Sequence, residues 1–207
     1  YRAIIDTLVY VGLRDAASVV FEELAGGEKI KQGDAFNKGL VEEEVRRILL
    51  VVNNAGYPDA AFVRNNSSAT RYLSTGNSKV VLEFHLGRRQ YFGDVGTHLE
   101  GDSLRGDISK DIILAQLDYQ PHDIFSQENW KSSERNLNRL GLFDLARVDT
   151  LRPNRDTSFF VPTLVSFRPR DRHELAPEVS LSDEDRNLNL GMGLVYTERN
   201  FFGGART

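Results

Sequence analysis

Leu188-Asn189-Leu190-Gly191-Met192-Gly193-Leu194-Val195-Tyr196 runs straight into Thr197-Glu198-Arg199-Asn200-Phe201-Phe202-Gly203-Gly204. Leu188, Leu190, Met192, Leu194 and Tyr196 are apolar, and Asn189, Gly191, Gly193 and Val195 alternate with them. A period of two puts the two sets on opposite faces of a strand. A strand that closes on charge, an asparagine, two aromatics and two glycines has reached a turn beside an interface. Strands of transmembrane β-barrels end in this way, with an apolar band, an aromatic girdle and a tight turn. A half-buried strand of a soluble sheet has the same period, so this stretch alone leaves both readings open.

The preceding residues bear on that choice. Leu175, Pro177, Val179 and Leu181 alternate with Ala176, Glu178 and Ser180, and Ser182-Asp183-Glu184-Asp185-Arg186-Asn187 is acidic and polar throughout. The pattern predicts a strand, a polar loop over 182–187, a second strand and a turn. The segment Tyr196-Thr197-Glu198-Arg199-Asn200-Phe201-Phe202-Gly203-Gly204 resembles the Tyr-x-x-Arg-Asn-(aromatic or Leu)-Phe-Gly-Gly segment of the outer-membrane assembly family that includes BamA and TamA. There it ends the first hairpin of the barrel. The resemblance implies that residues 171–207 begin such a barrel, with Arg199, Asn200, Phe201, Phe202, Gly203 and Gly204 as its turn motif.

Composition narrows the class. The chain has 207 residues, 40% hydrophobic and 27% charged, which suits folded domains. A net charge of −4 offers no basic field for nucleic acid. With no cysteine there is neither a disulfide scaffold nor a thiolate metal site. No run of eighteen apolar residues predicts a membrane-spanning helix, and no signal peptide is visible. The chain starts inside an apolar stretch and stops just past a turn, so it reads as an internal segment of a longer protein.

Taken in order, Ala3–Val11 is a β-branched strand closed by Gly12. Ala16, Val19, Val20 and Leu24 share a helical face that ends at Gly26-Gly27. Asn37 is placed to cap a helix carrying Leu40, Val41, Val45, Ile48, Leu49 and Val52. Its early Glu42, Glu43 and Glu44 suit the helix dipole as solvated carboxylates. Gly56 and Pro58 stop it. A strand starts at Phe62, residues 65–78 read as a loop or weak strand, and Val80–Leu86 is a strong strand. The order then recurs: strand Tyr91–Leu99, helix Asp107–Leu117 with Ile108, Ile112 and Ala115 on one face, a helix capped by Ser126 with Trp130, Leu137 and Leu140, strand Leu142–Leu151 and strand Phe159–Phe167. Pro162 lacks a ladder donor, so a bulge or unpaired stretch is expected there.

Spacing supports a tandem repeat. Gly12 to Phe36 is twenty-four residues, and so is Gly101 to Phe125. The β-α-α-β-β order, the segments Gly33-Asp34-Ala35-Phe36 and Pro121-His122-Asp123-Ile124-Phe125, and the helix and glycine exit after each resemble the polypeptide-transport-associated (POTRA) domain. The resemblance implies an α+β chain: POTRA domains over 1–88 and 89–170, each a small mixed three-stranded sheet with two helices on one face, followed by the first β-hairpin of the barrel.

The sequence contains no phosphate-binding loop, no His-Glu-x-x-His and no nucleophile elbow. His85, His98, His122 and His173 have no ligand spacing. No catalytic residue, cofactor or metal is expected. Arg168-Pro169-Arg170-Asp171-Arg172 reads equally as a linker or as a hinge meeting lipid headgroups. A free sheet edge can be completed by another extended chain. By resemblance, the edge is the strand after each second helix: Ala60, Phe62 and Arg64 in one copy, Ala146, Val148 and Thr150 in the other. The resemblance further implies an outer-membrane protein with periplasmic POTRA domains. Its partners would be unfolded outer-membrane proteins, outer-membrane lipid and periplasmic or lipoprotein accessory subunits. The alternatives are a two-partner-type secretion pore of the same superfamily, an enzyme-linked member, and a wholly soluble module.

Overall fold

The computed structural model describes residues 3–101, 108–151, 159–170, 173–184 and 187–198. The first repeat is built around one strand, β4 (Asn77–His85). Ser78, Val80, Leu82 and Phe84 alternate inward along it. β1 (Ile4–Val11) pairs with β4 in parallel, and β2 (Ala61–Phe62) and β3 (Ser68–Arg71) pair with it antiparallel. A 3₁₀ turn over Arg64–Asn66 ends the strand expected from Phe62 and separates β2 from β3. The stretch 65–78 thus contains a strand. All four residues of β3 are exposed, which is why no apolar alternation marks it.

The helices α1 (Ser18–Leu24) and α2 (Lys38–Asn54) supply the rest of this core. Val20, Ile48 and Val52 pack with Ile5, Val80, Leu82 and Phe84 in one buried cluster. Asn37 caps α2 as expected, its side chain accepting the Gly39 N–H at 2.9 Å. Gly12, at φ +86, brings the chain against the carbonyl of Phe84.

In the second repeat β7 (Phe160–Pro169) is central, with β5 (Tyr91–Leu99) on one side and β6 (Phe143–Thr150) on the other. On the β6 side Pro162 is unpaired, one of the two outcomes its missing donor leads one to expect. The register shifts between Phe143 and Leu145, opposite Pro169, while Pro162 lies beyond the last β6–β7 pair, Thr150–Thr163. The helix expected over 107–117 is shorter, α3 (Lys110–Leu114), and it buries Ile113, not the Ile108–Ile112–Ala115 face. Its capping Ser109 sets the start. α4 (Gln127–Arg139) begins at Ser126, whose hydroxyl accepts the Asn129 N–H.

The copies agree in detail. Phe36 and Phe125 are 89 residues apart, as are Gly33 and His122, which share a positive φ of 95° and 75°. Asp34 accepts the Lys31 N–H and Asp123 the Gln120 N–H, each at 2.7 Å.

The last pair, β8 (His173–Glu184) and β9 (Asn187–Glu198), forms a separate two-stranded sheet. Its ladder continues through the polar residues to the pair Glu184–Asn187, inside the stretch 182–187 expected as a loop. Alternation carries the pairing on where the apolar pattern has stopped.

The chain packs as two compact units. One holds β1 through Asp94 in β5, together with residues 119–130. The other holds β5 from Val95 onward, residues 131–151, and Thr163 with the strands after it. The division between them falls inside β5, α4 and β7.

Candidate functional site: the sheet edges

Each small sheet ends in outer strands, and what covers their backbone groups decides which can take another chain. The start of β1 is covered by the segment before α2: Ile5 N–H donates to Asp34 O at 2.8 Å and Gly33 N–H to Ile5 O at 2.8 Å. The start of β5 is covered in the same way by His122 and Asp123, through Phe92.

β3 is different. Tyr72 N–H bonds Asn77 O, so Thr70 and Ser68 are the residues that face β4 by alternation. The main-chain groups of Ala69 and Arg71 point outward, and no described strand pairs with that edge. A groove of 440 Å³ lies beside it, floored by Phe36, Val41, Phe62, Val80 and Leu82 and rimmed by Lys38 and Arg64. Of the three residues expected on this edge, Phe62 lies in β2 opposite Phe84, Arg64 opens the 3₁₀ turn, and Ala60 precedes β2. The longer open edge, four residues farther on, escaped notice because it has no apolar signature.

The β6 edge holds Ala146, Val148 and Thr150 as the sequence suggests, but it is not free. The Asn138 side chain donates to Ala146 O at 2.7 Å and accepts the Ala146 N–H at 3.0 Å. Glu134 accepts the Val148 N–H at 3.0 Å. These groups point away from β7, so two side chains of α4 stand where a neighbouring strand would.

Glu44 corrects a second expectation. It is fully buried, not a solvated carboxylate. Arg47 binds both its oxygens at 2.8 and 3.0 Å, Lys29 N–H donates at 2.8 Å and the Tyr10 hydroxyl at 3.1 Å. Burial alone would raise its pKa. The Arg47 and Lys29 hydrogen bonds outweigh it and hold the carboxyl below the ordinary glutamate value. Burial and the Glu44 charge push the Tyr10 phenol up. With every oxygen bonded, this group is structural.

Arg168 and Arg170 are more than linker residues, pairing with Glu100 at 3.6 Å and Asp144 at 2.9 Å. Among the described residues no cluster of three or more His, Asp or Glu could hold a metal. In the hairpin, Leu175–Tyr196, Pro177–Leu194, Val179–Met192 and Leu181–Leu190 are directly opposite pairs, so eight apolar side chains share one face. The face is open: Val179 is 68% and Met192 83% exposed. The motif Arg199–Gly204 lies outside the described residues.

No protein-family model matches the sequence, and no curated protein matches it. Solved structures do. The BamA of Haemophilus ducreyi lacking POTRA domains 1–3 superposes with a TM-score of 0.68 over 98% of this chain, at 17% identity. The chain has the POTRA fold. POTRA domains 3–5 of Haemophilus influenzae BamA superpose with a TM-score of 0.57 over 80% of this chain, at 14% identity. The chain spans about a third of the first of these, covering 35% of it, and 61% of the second.

Proposed function

We propose that this chain is the POTRA region and first barrel hairpin of an outer-membrane protein assembly factor. The division is residues 1–88, 89–170 and 171–207, with the POTRA domains in the periplasm and the hairpin in the outer membrane. The observation that carries this reading is the one-sided apolar hairpin following two POTRA copies: Leu175, Val179, Leu181, Leu190, Met192 and Leu194 stand exposed on one face, which suits lipid. The two superpositions support it. The longer BamA chain covers 98% of the chain and the POTRA-only structure 80%.

In this reading unfolded outer-membrane proteins pair with an open sheet edge, where main-chain bonds give affinity with loose sequence preference. Accessory subunits would dock on the same periplasmic region. No covalent step is involved. The test is depletion of the full-length protein from its own cell, with folded, heat-modifiable outer-membrane barrels counted on unheated gels. Broad loss of folded barrels is expected. Normal barrels with one secreted passenger missing would replace this reading with the secretion pore.

A further inference from the structure

We infer that Asn138 and Glu134 close the β6 edge, so that an added strand is taken at β3 and not at β6. The inference rests on the strand-addition reading above. Its physical ground is local. A strand added to β6 must bond the outward N–H and C=O of Ala146 and the N–H of Val148, and all three are already bonded to α4 side chains. The carboxamide of Asn138 offers one donor and one acceptor to a single residue, the same pair that a strand's peptide groups offer. It can therefore stand in for a neighbouring strand.

The first repeat lacks this device. Counting back the 89 residues that separate Phe36 from Phe125, Asn138 falls on Leu49 and Glu134 on Val45. Neither side chain has a donor or acceptor, and both pack against the core. α2 also ends at Asn54, whereas α4 ends at Arg139 and passes through Gly141 directly into β6. The short exit brings Asn138, in the last turn of the helix, within eight residues of the backbone that it binds. The charges also differ. The open edge carries Arg71, with Arg64 on the neighbouring groove rim, where Lys38 is paired with Glu42 at 3.8 Å, whereas Glu134 at the closed edge would repel a strand's carbonyl oxygens. The open edge therefore favours an extended segment that alternates apolar residues, which meet the groove, with polar or acidic ones. The β6 edge excludes the same segment.

The absence of native cysteine makes the test direct. Single cysteines at the exposed positions Thr70 (T70C) or Arg147 (R147C) are placed in the 207-residue chain. The probe is a synthetic peptide of residues 188–197 with one added cysteine, and disulfide capture is measured under mild oxidation. Capture at T70C with about tenfold less at R147C is expected, and adding Asn138→Ala with Glu134→Ala should raise R147C capture about tenfold. Equal capture at both positions in the otherwise native chain would overturn the inference. So would R147C capture that stays low after both side chains are removed while T70C captures.

Capture at neither position counts against strand addition itself. The closed edge is then judged by amide exchange. Slow exchange at Ala146 and Val148 that quickens about tenfold or more in Asn138→Ala with Glu134→Ala supports it, and unchanged rates overturn it. If Asn138→Ala does not fold, Glu134→Ala alone is read: Val148 should quicken while Ala146 does not, and the reverse would sink the assignment.

Discussion

In the first repeat Ala69 and Arg71 present main-chain groups at the outer edge of β3 that no described strand pairs. In the second, the matching edge of β6 is bonded to Asn138 and Glu134. The same contrast runs through the interior. Lys29 N–H bonds the buried carboxylate of Glu44, and the residue 89 positions on, Asp118, bonds the buried hydroxyl of Ser133, both at 2.8 Å. The backbone asks for the same acceptor in both copies, and each repeat answers with different chemistry. An open or closed edge is thus a property of a few helix side chains, not of the fold.

Several substitutions would break or sharpen that comparison. The largest effect is expected at the interior slot. Glu44→Ala leaves the half-buried Arg47 and the Lys29 N–H without their carboxylate and should cost about 3–5 kcal/mol in urea unfolding. The charge also brings a pH dependence that Ser133 cannot share. Because the Glu44 pKa is lowered on folding, its contribution is complete above the unfolded value and fades as pH falls through the folded one. Unfolding midpoints measured on acidification should therefore drop, and Glu44→Gln should flatten that drop. Next is Gly12→Ala. A Cβ there would lie 1.8 Å from Phe84 O, so a loss of about 3 kcal/mol or more is expected. Gly101→Ala has φ +104 but open space around it and should lose only about 1–2 kcal/mol. Equal losses at the two glycines would mean that the close approach in the first repeat is not tight. Ser133→Ala follows, taking the acceptor from the partly buried Asp118 N–H at about 1 kcal/mol by the same unfolding measurement. The smallest effect is Asn54→Ala. Asn54 Oδ1 accepts the Glu128 N–H at 2.9 Å beside the Ser126 cap, and its loss should cost about 1 kcal/mol.

Periodicity made most of the architecture legible. β5 has the bounds its sequence suggests, the Asn37 and Ser126 caps are in place, and the repeat follows from its glycines and phenylalanines. Pattern failed where exposure removes it. β3 is solvated on all four residues, so nothing apolar announces it. It failed again where a polar side chain is buried by pairing, since Glu44 in a run of three glutamates looks like its solvated neighbours until Arg47, Tyr10 and Lys29 are seen around it. The closure of β6 was hidden for a third reason. Asn138 acts on a backbone that only folding brings beside it, and no spacing rule distinguishes that asparagine from an ordinary surface one.

The hairpin has a consequence for handling the molecule. Strands β8 and β9 turn Leu175, Val179, Leu190, Met192 and Leu194 to one side while the repeats before them bury their own apolar residues. One stretch of the chain is finished in water and the other asks for a second solvent. Extracted into plain buffer, the chain should clump through that face at high concentration. A mild detergent should disperse it by coating the hairpin, while the two small sheets stay folded outside the micelle.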